Sequence, residues 1–180
     1  MTASADLPLA PLSNRLVRAS RRGTVQIIRL GHLLVFFFRA LAGVPGVLGL
    51  FDRPELGAAE LAAALESFCR PGVVLIDDAE LLRDCGAAEE LSRLITLGRD
   101  AGRALVLGGD ADKIGVGFNG WQVDAKRARR GCLTAPSTIP DGDLIGVRLS
   151  RDVIGQPPRL GRCLLHTGDG KLITVSVPAV

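Results

Sequence analysis

The feature that most narrows what this chain can fold into is a pair of apolar runs that do not alternate. Residues 73–76 read VVLI, and residues 103–109 read RALVLGG. A strand with one wet face alternates apolar and polar residues, whereas a strand buried on both faces reads as a continuous apolar run. Between the two lies AAEELSRLITLGRDAG (87–102), an amphipathic helix whose stripe is Leu91, Leu94, Ile95 and Leu97, with Gly102 at its end. Upstream, VPGVLGLF (44–51) is a turn dipeptide followed by a short strand. ELGAAELAAALESF (55–68) is rich in helix formers, with Leu56, Leu61 and Leu65 on one side, and Pro71 and Gly72 break it. Strand, helix, strand, helix, strand predicts an α/β fold on a mainly parallel sheet covered on both faces.

The pattern changes after Asp110, which reads as the N-cap of a helical segment over 111–130. CLTA (132–135), DLIGVRL (143–149), GRCLLHT (161–167) and KLITVSV (171–177) are strand-like, and GDG at 168–170 turns the last two into a β-hairpin. At the other end, residues 1–14 are a Pro- and Ala-rich tail. Residues 15–38 carry Arg15, Arg18, Arg21, Arg22 and Arg29, a short strand pattern at Val25, Ile27 and Ile28, and the run LLVFFF (33–38).

Composition removes several function classes. A chain of 180 residues suits one domain, and 47% apolar residues supply a core. The net charge of +3 is too mild to point to any partner. Leu33–Phe38 is far shorter than the roughly 20 residues a membrane helix needs. It follows a long Arg-rich stretch, unlike the apolar core of a secretory signal. The cysteines Cys69, Cys85, Cys132 and Cys163 form no C-x-x-C pair, and His32 and His166 stand apart from any cysteine cluster. That spacing argues against zinc and reads as reduced, buried thiols of a cytoplasmic protein.

The first apolar strand runs straight into Asp77 and Asp78. Adjacent carboxylates repel, and each is costly to desolvate. Exposure at the strand end relieves that cost, and so does a bound cation. Ligands of open α/β sheets sit beyond the carboxyl ends of the strands, where this pair falls. Four apolar residues followed by two acids is the Walker B pattern, in which the first acid, here Asp77, holds magnesium. The second, here Asp78, orients the attacking water. Strand-end solvation and helix capping are the plain alternatives.

The order of segments carries a resemblance. GVVLIDDAELLRD, LSRLITLGRDAGRALVLGGDAD, KRARRG, DGDLIGVRLSRDVIG and PPRLGRCLLHTGDGKLITVSVP follow one another along the chain. Together they resemble the carboxyl-terminal part of FtsK/SpoIIIE-family ATPase domains, above all those of actinobacterial type VII secretion ATPases. The resemblance covers residues 41–180 and leaves 1–40 as a tail and poorly matching segment. It implies a partial P-loop NTPase domain, RecA-like and three-layered, with Mg2+ and ATP as cofactors. It also implies related ATPase subunits or domains as partners, in an oligomeric ring, with DNA as the translocated substrate of some members and membrane contact only through a partner.

One departure qualifies this. Such ATPases hold triphosphate with G-x-x-x-x-G-K-[ST]. The lysines here are Lys113, Lys126 and Lys171, and none precedes Ser or Thr. Without a Walker A motif, the chain reads as the back half of a P-loop domain with a short unrelated or eroded front. A missing front strand should uncover a face or an edge of strand 73–77, with Leu33–Phe38 as the substitute cover.

Lys126, Arg127, Arg129 and Arg130 form a basic run suited to nucleic-acid phosphates, or to a solvated helix end. Arg99, Arg103 and Arg162 are the arginines available to complete a neighbouring subunit's site, or to pair on the surface. Trp121 reads as a core or interface anchor, and His166, inside a strand, as a poor base. The leading expectation is a non-catalytic interaction or regulatory module. The alternatives are an ATPase whose phosphate loop comes from another chain, and a DNA-binding fragment.

Overall fold

The computed structural model describes residues 26–29, 46–51, 55–66, 71–98, 100–157, 159 and 162–176. Its framework is one seven-stranded sheet of order β2-β3-β4-β1-β5-β6-β7. The strands are β1 (Gln26–Arg29), β2 (Val47–Phe51), β3 (Gly72–Ile76), β4 (Arg103–Gly108), β5 (Gly131–Leu133), β6 (Arg162–His166) and β7 (Leu172–Ser176). β2 through β5 pair parallel across the sheet, with β1 between β4 and β5. β5, β6 and β7 pair antiparallel. The predicted α/β class, parallel sheet and terminal hairpin are therefore all present.

The apolar runs form strands because both of their faces are buried. Every residue of β3 is buried, as is β4 from Ala104 onward. Val74, Ile76, Leu105 and Leu107 join one core with Leu133, Trp121, Leu91 and Leu61. Val73, Leu75, Ala104 and Val106 alternate onto the opposite face and are buried there too. The expected uncovered edge of strand 73–77 is not found, because β2 and β4 pair with β3 on its two sides. The proposed cover, Leu33–Phe38, lies outside the described residues, as do Arg99 and Cys69.

Among the described residues four α-helices punctuate the sheet: α1 (Ala58–Glu66), α2 (Ala88–Leu97), α3 (Ala111–Ile114) and α4 (Trp121–Lys126). α2 turns Leu91 and Leu94 into the core, while Leu97 of the predicted stripe is exposed because the helix ends there at Gly98. α1 lies against β2 and α2, and α4 against α2 and β1. Asp110 caps α3 as expected, its carboxylate accepting from the Asp112 N–H at 3.0 Å. The single helix expected over 111–130 is instead two, separated by Gly115, Gly117 and Gly120. Gly117 (φ 108°) and Gly120 (φ 95°) take backbone conformations that no helix contains.

Residues 143–149 correct the sequence reading: they are not a strand. A 3-10 turn over Ile139–Leu144 precedes an irregular stretch. The Asp141 carboxylate accepts from the Ser137 and Thr138 N–H groups and from the Thr138 hydroxyl, which bends the chain here. Leu144, Ile145 and Leu149 are apolar because they plug the core, not because they pair in the sheet.

Candidate functional site at the carboxyl ends of the parallel strands

Open parallel sheets bind ligands where successive connections leave a strand toward opposite sides. From β1 the chain goes to β2 and returns strand by strand to β4. From β4 it goes to β5, on the other side of β1. The switch point is thus the carboxyl end of β1, with β4 as its neighbour and β3 one strand further.

Asp77 follows β3 at that end and is 3% exposed. Its N–H donates to the carbonyl of Phe51 at the end of β2, at 3.0 Å. Its Oδ1 accepts from the Asp78 N–H at 3.1 Å, so the first acid holds the backbone of the second. Asp78 is exposed, with φ 47° and ψ 47°. This left-handed conformation is strained for any residue with a Cβ, and Asp and Asn tolerate it best.

The turn after the pair is pinned from two sides. Ala79 and Leu82 are fully buried in a 3-10 turn spanning Ala79–Leu82. From α4, the buried Gln122 amide donates to the Ala79 carbonyl, and the Trp121 indole N–H donates to that of Leu82 at 2.9 Å. From β4, the Asp110 N–H donates to Glu80 Oε2 at 3.3 Å. Gly109 leaves room for that contact: a Cβ there would stand 2.3 Å from Glu80 Oε2. Glu80, Gly109 and Gln122 were not identified from sequence. Each acts through a residue about thirty or more positions away, and only the Gly-Gly at 108–109 marked the spot.

A carboxylate pair on a rigid turn has the chemistry of a magnesium site, since Mg2+ takes one or two carboxylates and fills its shell with water and substrate phosphate. Asp77 and Asp78 are the residues that would offer such hard oxygen donors. Among the described residues no group of three His, Cys, Asp or Glu is arranged as an all-protein metal cage. The phosphate side lacks G-x-x-x-x-G-K-[ST] anywhere in the chain.

The members of the basic run each make a local contact. Lys126 ends α4 and donates to the Gly115 carbonyl at 3.0 Å. Arg127 pairs with Asp124 at 2.7 Å. Arg129 takes φ 50°, with its side chain beside Gly146, and Arg130 lies against Gly168. Arg103 donates to the Leu65 carbonyl at 2.6 Å, and Arg162 is exposed at the start of β6. His166 is buried with both ring nitrogens engaged: Nδ1 meets the Ile145 carbonyl at 2.7 Å, and Nε2 accepts from the Gly170 N–H at 3.0 Å. With Nε2 accepting, the ring nitrogen that donates to the Ile145 carbonyl is Nδ1. Trp121 is a core anchor.

No family profile and no curated protein matches the chain. Solved structures do. The structure of the cytoplasmic domain of EssC superposes with a TM-score of 0.61 at 14% identity over 99% of this chain. The chain shares the fold of part of that EssC structure. A second EssC structure, of ATPases 2 and 3 from Geobacillus thermodenitrificans, gives a TM-score of 0.61 at 15% identity over 89% of the chain. The chain spans 48% of the first EssC structure and 37% of the second. No helix among the described residues is long and apolar enough to cross a membrane.

Proposed function

We propose that this chain is a degenerate FtsK/SpoIIIE-like ATPase domain, centred on residues 41–180, that serves a secretion or translocation ATPase of type VII kind as an interaction or regulatory module. Its partners are related ATPase subunits or domains in the cytoplasm, and it reaches a membrane only through them. The observation that carries this reading is a combination. An acid pair sits on a pinned turn at the carboxyl end of β3, in a fold shared with EssC ATPases, and the sequence has no Walker A motif to hold the triphosphate. Phosphate-loop N–H groups supply most of the donors for nucleotide, and two carboxylates alone repel it.

A second reading keeps catalysis. The left-handed Asp78 is a strained position inside a frame that over-determines it, a pattern concentrated at functional sites. In that reading another chain supplies the phosphate loop, Asp77 takes the metal and Asp78 positions the attacking water. A magnesium ion held by Asp77 would supply positive charge against the developing phosphoryl charge. The DNA reading has less support, because Lys126, Arg127, Arg129 and Arg130 are drawn to separate local contacts.

Isothermal titration with Mg-ATP, on the chain alone and with a related ATPase subunit added, separates the first two readings, because only the second gains an Asp78-dependent site once the subunit is present. The purified chain should show no saturable binding, and addition of a related ATPase subunit should produce a complex in sedimentation without new turnover by this chain's acids. Nucleotide binding by the chain alone overturns the leading reading. A DNA mobility shift that weakens steeply with salt, and is lost when 126–130 are neutralised, would establish the third.

A further inference from the structure

Away from the acid pair, two thiols meet on the antiparallel side of the sheet. Cys132 lies in β5 and Cys163 in β6, and Cys132 stands opposite Leu165. Cys163 is therefore its diagonal neighbour on the same face of adjacent strands. The two side chains are hydrogen-bonded to each other. Both are free thiols and half-buried, unlike the buried Cys85. Cys163 opens onto a cleft of about 390 Å³ with Arg159, Arg162, Thr134 and Thr174 in its wall and Asp152 as its acid. The Cys132 hydrogen bond draws the Cys163 thiol down to about 7. The same bond, with burial, pushes Cys132 well up. Burial raises Cys85 as well. One member of the pair is thus a half-buried nucleophile on the cleft wall, and the other is a protonated partner within reach.

We propose that Cys163 and Cys132 are an oxidisable dithiol that hydrogen peroxide converts to an intramolecular disulfide stapling β5 to β6. In the first step the Cys163 thiolate attacks one peroxide oxygen. The O–O bond breaks, a sulfenic acid forms on Cys163, and the other oxygen leaves as water after taking a proton. In the second, Cys132 attacks that sulfur, the S–O bond breaks, and a second water leaves with the Cys132 proton. Each sulfur loses one electron and the peroxide gains two. Diagonal strand neighbours stand about 7–8 Å apart, beyond the usual disulfide Cα separation, so closure requires β5 and β6 to draw together. A low-pKa, accessible thiol beside a resolving cysteine is the arrangement redox-responsive sites use.

Peptide mapping of the peroxide-treated full chain tests this. Trypsin releases Cys132 in residues 131–148 and Cys163 in residues 163–171, each as the sole cysteine. The expected product is these two peptides joined with the loss of two hydrogens, restored by dithiothreitol. Cys132→Ser should leave a sulfenic acid on Cys163 that dimedone traps, and Cys163→Ser should leave Cys132 a thiol. In the untreated wild type, iodoacetamide should alkylate Cys163 with a midpoint near pH 7, and Cys85 should lag by on the order of tenfold at neutral pH. Peroxide that leaves both thiols alkylatable, drives Cys163 to the sulfinic acid with Cys132 free, or links Cys163 to another cysteine overturns the proposal.

Discussion

Asp78 concentrates the question at the scale of single residues. Its φ of 47° places an ordinary side chain where glycine is at ease, next to a carboxylate that is already buried. If the conformation is imposed by the frame, Asp78→Gly removes the strain and should raise stability by about 1 kcal/mol in urea denaturation. A loss of similar size would mean that the aspartate side chain itself holds the turn. The pair was legible in the sequence because a carboxylate ending a buried strand is an energetic anomaly wherever it falls. Glu80 and Gln122 were not legible. A glutamate one residue into a turn and a glutamine beside a tryptophan are ordinary until tertiary contacts bring Asp110 to one and Ala79 to the other.

Among the elements, His166 shows how the hairpin is tied to the body. Its ring spans from the Ile145 carbonyl, in the irregular stretch under the sheet, to the Gly170 N–H in the hairpin turn. His166→Ala leaves both backbone groups without their partner and should cost about 1–3 kcal/mol. Hydrogen exchange at the Gly170 amide should quicken in step, and unchanged protection there would show that the ring does not hold the turn. The elements divide by how local their causes are. β3, β4, α2 and the hairpin were readable because burial period and turn residues are written within each segment. The 143–149 stretch misled because an apolar run that plugs a core and one that pairs in a sheet have the same composition. The broken helix at 111–130 misled because a capping aspartate announces a start, while Gly117 and Gly120, which end it, reveal their positive φ only in the folded chain.

For the molecule as a whole, the decisive placement is that of β1. A four-residue segment in the part of the chain with the poorest sequence match lies between β4 and β5 and makes the parallel sheet continuous. Sheet order is a non-local property, so a short strand pattern at Ile27 and Ile28 gave no hint of its neighbours. Ile27 pairs with Leu107 on one side and Gly131 on the other. Proline there removes a ladder donor from a central strand, so Ile27→Pro should cost about 3 kcal/mol or more and abolish cooperative unfolding by circular dichroism. Cooperative unfolding retained by the Ile27→Pro variant would remove β1 from the sheet.

The proposed reading combines an EssC-like fold, an acid pair at the end of β3 and a sequence without the phosphate-holding motif. The most direct test is a steady-state assay of magnesium-dependent ATP hydrolysis by the purified chain, run beside its Asp78→Asn variant. The two proteins should give the same rate, indistinguishable from buffer. Turnover by the wild type that requires magnesium and disappears with Asp78→Asn would contradict the account and make this chain an ATPase in its own right.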